Sequence, residues 1–202
     1  MTTNSHQPAN SAKIAALKEA LERMEAGELP ALIDHEEEKA LAPIKAKAVR
    51  LLNHRDRSAH ELRSRLLDAE FDPQYVEQVV ERCIANGMVD DSRFASEWVR
   101  QRQANQKKSV AVLRRELKEK GVAGAIIDEA LEQISVDDQN TILEQLVTKK
   151  AASVKHVPTT RAEYDKVLRR VVGVAARRGF PQGRSLTAAR LALDARIAEL
   201  ES

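Results

Sequence analysis

Apolar positions recur at three- and four-residue intervals along most of the chain, the period of amphipathic helices, and that pattern itself repeats. Ser58, Ser109 and Thr160 each open such a run at a constant step of 51 residues. At this step Leu62 falls on Leu113, Leu66 on Leu117, Phe71 on Val122, Tyr75 on Ile126 and Val76 on Ile127. Repetition on this scale predicts a tandem array of small helical modules, which more often builds an extended contact surface than a single catalytic pocket.

The pattern divides the chain into four parts. Residues 1–39 form an acidic extension, its first ten residues disordered, with one amphipathic helix carrying Ile14, Leu17, Leu21 and Met24 up to Gly27 and Pro30. Three-helix repeats follow over 40–89, 90–136 and 137–202. In the first, Pro43 is expected in the opening turn of a helix, since deeper in it a proline costs about 3 kcal/mol. Ser58 with Glu61, and again Thr160 with Glu163, predict capping boxes in which each side chain satisfies the other residue's free amide. Asp72 before Pro73 starts the next helix, Asn86 and Gly87 stop it, and Asp90 and Asp91 open the second repeat. The third repeat begins near Asp138. Gly121 follows its cap by 12 positions and Gly179 follows Thr160 by 19; the added seven residues are close to two helical turns, so the middle helix lengthens while keeping its buried face. Modules this small have marginal cores, so stability is expected from stacking neighbours, with thin contacts that leave the array able to bend.

Composition agrees with an all-α chain: of 202 residues, 32% are charged and only 3% aromatic. The net charge of +2 conceals an asymmetry, because residues 1–40 hold 4 Lys/Arg against 8 Asp/Glu. The remainder is therefore basic, a sign that fits an acidic or phosphate-rich partner. No stretch approaches the roughly 18 apolar residues of a membrane span and no signal-peptide core opens the chain, so no membrane contact and a cytoplasmic protein are expected.

Candidate chemistry is sparse. The five histidines lack ligand spacing, so no metal or cofactor is expected. Gly121-Val-Ala-Gly124 matches the loop that clamps nucleotides in KH domains, but helical flanks make it a helix stop and turn. Asp90-Asp91 and Asp137-Asp138 sit at helix starts, where acidic caps are the simpler reading than catalytic pairs. Cys83 shares a face with Tyr75, Val76, Val79 and Val80, as a buried, unreactive thiol would. Trp98 is expected in the core rather than stacked on a base. Nothing points to an enzyme. What remains is basic: Lys107, Lys108, Arg114, Arg115, Lys118 and Lys120 in the second repeat, then Lys149, Lys150, Arg169, Arg170, Arg177, Arg178, Arg184 and Arg190 in the third. These are the candidate partner- and nucleic-acid-binding residues. Between 161 and 190 only Glu163 and Asp165 oppose them, so replacing Arg169, Arg170, Arg177 and Arg178 by Ala is expected to weaken binding and leave stability nearly intact.

Four motifs in order carry a family resemblance: Arg57-Ser58-x-x-Glu61-Leu62-x-x-x-Leu66, Gly87-Met-Val-Asp-Asp91-Ser-Arg-Phe94-Ala95, Leu113-x-x-Glu116-Leu117-x-x-Lys120-Gly121-Val122 and Arg177-Arg178-Gly179-Phe180. The chain resembles the RecX family of bacterial regulators of the RecA recombinase from about residue 40 to 195. The resemblance implies an elongated, curved, all-helical molecule lying in the groove of a RecA filament on single-stranded DNA, with duplex DNA a further partner. It also implies modulation, usually inhibition, of RecA's ATP hydrolysis, strand exchange and stimulation of repressor self-cleavage, in recombination, DNA repair and the SOS response. The family has no catalytic residues to transfer, and Asp91, Phe94, Gly121, Gly179 and Phe180 look architectural. A monomer is the simpler expectation for a ligand of a repeating groove. The alternative is a helical DNA-binding protein or transcription factor acting without RecA, for which basic positions on several helices are a poor match.

Overall fold

The computed structural model describes residues 35–202 and, ahead of them, Lys18 and Glu22. The expected disordered start and the helix bearing Ile14, Leu17, Leu21 and Met24 lie outside the described residues. Among those described there are nine α-helices and no strand: α1 (His35–His54), α2 (Ala59–Leu67), α3 (Pro73–Ala85), α4 (Asp91–Gln106), α5 (Val110–Glu119), α6 (Gly124–Glu132), α7 (Val136–Ala151), α8 (Arg161–Ala176) and α9 (Gln182–Glu201). The chain divides into two compact units, Met1–Ala46 and Lys47–Ser202.

In the first unit α1 begins earlier than the pattern indicates. Glu36, Glu37 and Glu38 occupy its first turn, where the positive end of the helix dipole favours carboxylates. Pro43 therefore lies inside the helix rather than in its opening turn. Leu41 and Ile44, on either side of it, are fully buried, and Lys45 pairs with Glu38.

The second unit repeats one plan. Leu62 and Leu66 of α2 pack on α3, whose inner face is Val76, Val79, Val80 and Cys83. Burial pushes the Cys83 thiol up, as expected of an unreactive core cysteine. Helices α4–α6 enclose Phe94, Ala95, Val99, Leu113, Leu117 and Ile127; α7–α9 enclose Leu143, Val147, Leu168, Val171, Ala175, Phe180, Ala189 and Leu193. The lengthened middle helix of the third group is real: α8 has 16 residues and α5 has 10.

The caps are the predicted ones, with altered partners. Ser58, Ser109 and Thr160 each accept from the amide three residues on. The return arm of the box is missing at Ser58, because the Glu61 carboxylate is taken by Arg55 and Lys120. At Thr160 the Glu163 side chain reaches one residue further back, to Thr159 N–H and hydroxyl. A complete box forms instead between Ser135 and Asp138.

The same serines join one repeat to the next. Ser58 Oγ donates to the Lys120 carbonyl at 2.6 Å, and Ser109 Oγ donates to the Gly179 carbonyl at 2.7 Å. A second hydrogen bond recurs beside each: Ala59 N–H to Asp91 Oδ1 at 2.8 Å and Val110 N–H to Gln139 Oε1 at 3.1 Å. Each joint thus caps the opening turn of one repeat's middle helix with groups from the following repeat, satisfying amides that no intrahelical carbonyl can reach. Gly121 and Gly179 close the opposite side. Both have positive φ, 71° and 78°, in turns where Val122 N–H returns to Leu117 and Phe180 N–H to Ala175. A Cβ on Gly121 would overlap His60, and one on Gly179 would overlap Val112. At the matching turn of the first repeat the residue is Glu70, held at φ 61°.

Candidate functional site

Cations of the second repeat are largely engaged within the fold. Lys107, the left-handed C-cap of α4, donates to Gln145 at 2.9 Å. Lys108 pairs with Glu116, and Arg114 with Asp128. Arg115 lies 3.8 Å from Glu119 and Lys118 is exposed. Lys120 reaches Glu61 at 2.5 Å and lies 4.6 Å from the Trp98 ring centre. Arg102 stands over the same ring at 4.2 Å, and the indole N–H donates to Glu116 at 3.1 Å. Trp98 packs on Phe94 with ring centres 5.7 Å apart. Two cations over the ring and Phe94 against it give Trp98 a bracing role between α4 and α5. Burial opposes ionisation of Glu61, but Arg55 and Lys120 outweigh it and bring its carboxyl down to about 2.

The third repeat keeps its charge outside. Positions 166 and 170 of α8 and its C-cap 177 fall on one stripe, and Lys166, Arg169, Arg170 and Arg177 are all exposed. Lys149 and Arg190 are exposed, while Lys150 is half-buried. Arg184 donates to Asn140. Arg178 behaves differently from its neighbours: Nε donates to the Gln106 carbonyl at 3.1 Å and an amino group to Val174 at 3.3 Å. Its own carbonyl accepts from Ser109 N–H at 2.9 Å. It fastens the second joint, so its replacement is expected to disturb the fold, unlike that of Arg169, Arg170 and Arg177.

The cations of α8 border a groove of about 450 Å³ between the end of α7, the loop 152–160 and α8. Lys150, Lys155, Lys166 and Arg170 line it together with His156. Its one carboxylate, Glu163, is held below the usual carboxylate range, first by the Thr159 amide and then by the Thr159 hydroxyl. Lys155 was not legible as a site residue. The signal for it is the long stretch between the last apolar residue of α7 and the cap Thr160. Among the described residues no group of three or more His, Cys, Asp or Glu converges as a metal site would, and no helix is long and apolar enough to cross a membrane.

Comparison with known proteins agrees with this architecture. The family model described as RecX, first three-helix domain, matches residues 45–83, and that described as RecX, second three-helix domain, matches residues 90–131. A regulatory protein RecX of Corynebacterium efficiens is 44% identical over 194 residues, covering 94% of this chain and 92% of its own. That of Mycolicibacterium vanbaalenii is 39% identical over 139 residues, 68% of this chain and 76% of its own. The crystal structure of RecX from Lactobacillus salivarius shares the fold with a TM-score of 0.61 at 19% identity, over 81% of this chain and 97% of that one. With both three-helix domains matched in order and this identity over nearly the whole length, the chain belongs to the RecX family of regulatory proteins.

Proposed function

We propose that this protein regulates the cognate RecA recombinase by binding its filament on single-stranded DNA, acting as a ligand and not as an enzyme. The observation that carries the reading is the exposed cationic stripe formed by Lys166 and Arg170 of α8 and its C-cap Arg177, in a chain whose relatives are named regulatory proteins. A repeat-built surface suits a repeating partner, and cations suit a filament that holds DNA phosphates, whose neutralisation releases counterions and drives binding. Seated on the filament, the protein holds subunits in one arrangement and thereby restrains ATP hydrolysis, strand exchange and repressor self-cleavage. The action is cytoplasmic, by a monomer, in recombination, repair and the SOS response.

Titration of the protein into RecA on single-stranded DNA tests this. The expected result is a dose-dependent change, a fall in the usual case, in DNA-dependent ATP hydrolysis, with the protein co-sedimenting with filaments. Unchanged hydrolysis together with absence from the pellet sinks the proposal.

A further inference from the structure

The groove on the third repeat borders a place that the fold uses twice for another purpose. In the first two repeats the cap serine and the residues after it receive the C-terminal turn of a helix: Lys120–Gly121 lies on Ser58 and His60, and Arg178–Gly179 lies on Ser109 and Val112. Ser58 is 0% and Ser109 3% exposed. Thr160, the residue in the same register, is exposed, and Glu163, in register with Val112, lines the groove.

We propose that this groove is a socket for the C-terminal turn of an acidic helix in a partner protein. Three properties select that occupant. A helix C-terminus presents unsatisfied carbonyls and the negative end of its dipole, the groups already received at Ser58 and Ser109. The lining then sets the charge: Lys150, Lys155, Lys166 and Arg170 face Glu163 alone, which Thr159 already engages. Carboxylates in the last turn of the incoming helix meet these cations, whereas the two turns that this chain seats on Ser58 and Ser109 carry Lys118, Lys120, Arg177 and Arg178 and are repelled. Third, Val154, Val157, Val167 and Val171 also line the groove. They fit the apolar residue that follows a helix-terminal glycine, as Val122 and Phe180 do here; a phosphodiester strand meets the cations and leaves the valines bare.

The test uses the full chain and a fluorescein-labelled synthetic helical peptide with two Glu in its last turn followed by Gly-Leu, read by anisotropy. A peptide with Lys in place of both Glu is the control, and oligo(dT) is the competitor. The wild-type protein binds the acidic peptide and not the basic one. Lys155→Glu with Lys166→Glu weakens binding by about tenfold or more, while Arg65→Glu with Arg100→Glu, the same change of charge at exposed positions of α2 and α4, shifts it by less than about twofold. If the double reversal alters the thermal melt, Lys155→Gln with Lys166→Gln decides, with a smaller loss in the same direction. Absence of binding, equal affinity for both peptides or insensitivity to both double variants overturns the socket. So does displacement by oligo(dT) with oligo(dT) affinity falling in the same proportion, which makes the groove a nucleic-acid site. None of these readouts involves RecA, so the socket and the recombinase reading fail separately.

Discussion

The Ser109 hydroxyl accepts from Val112 N–H and donates to the Gly179 carbonyl 2.7 Å away, so one buried atom both opens a helix and closes the contact with the next repeat. Ser58 does the same with Glu61 N–H and Lys120. Removing either hydroxyl takes away a cap, worth about 1 kcal/mol, and strands a carbonyl at a cost of about 1–3 kcal/mol. Ser58→Ala and Ser109→Ala are therefore expected to cost about 2–4 kcal/mol each in urea unfolding. Thr160→Ala, at the exposed cap, is expected to cost about 1 kcal/mol; equal losses at all three positions would show that the joints contribute nothing.

Gly179 and Gly87 separate close approach from backbone conformation. Both have positive φ, 78° and 73°, but a Cβ on Gly87 meets nothing within 4 Å, whereas one on Gly179 overlaps Val112 and comes 2.9 Å from Ser109 Oγ. Gly87→Ala should cost about 1–2 kcal/mol through its left-handed backbone. Gly179→Ala adds the overlap, and Val112→Ala introduced with it should recover part of the difference, read as a rise in melting temperature over Gly179→Ala alone. No recovery would mean that the joint yields to the methyl without strain.

Glu70 carries the complementary test. It holds φ 61° at the position where the later repeats place Gly121 and Gly179. Only glycine takes that conformation at no steric cost, so Glu70→Gly is expected to stabilise the protein by up to about 1 kcal/mol, seen as a higher urea midpoint at unchanged slope.

These cases show which parts of the fold could be read from the sequence. The cap residues were legible because Ser, Thr and Asp before an apolar period have a local cause, and the step from 58 to 109 to 160 aligned them. Their partners were not: Ser58 meets the Lys120 carbonyl, and a backbone carbonyl leaves no mark in a sequence. Arg178 looked like its exposed neighbours because the difference lies in the Gln106 carbonyl beside it, contributed by another repeat. Pro43 was misplaced because capping signals near it were weaker than the acidic turn at Glu36–Glu38. Lys155 escaped because the loop 152–160 has no counterpart of its length before Ser109.

Glu61 makes stability depend on acid. Its folded carboxyl titrates at about 2 against an ordinary 4.5, so the unfolded chain binds the proton more readily. The stabilisation is present in full above about pH 4.5 and is lost as pH falls toward 2. Because Arg55 stands at the surface, with 42% of its side chain accessible, solvent screening reduces the effect to about 1–2 kcal/mol. Glu61→Gln should lower stability at pH 7 and flatten this part of the acid limb in urea titrations between pH 5 and 2; an unchanged limb would show that the ion pairs with Arg55 and Lys120 carry no weight.

The arginines of the third repeat divide by what they touch. Arg169, Arg170 and Arg177 are exposed, so their joint replacement by Ala should leave the melt nearly unchanged, since surface ion pairs are worth about 0–1 kcal/mol. Arg178→Ala removes two hydrogen bonds from a charged donor to backbone carbonyls and should cost about 1.5–3 kcal/mol. Binding discriminates in another way. Each arginine that neutralises a phosphate of a single strand contributes about 0.7 to the slope of log K against log salt concentration. If the three exposed arginines contact the strand, the triple variant weakens binding and lowers that slope by up to about 2, whereas Arg178→Ala leaves the slope unchanged in the fraction that remains folded. A triple variant with wild-type slope and weaker filament binding would assign the stripe to protein carboxylates. Wild-type affinity and slope together would remove α8 from the interface.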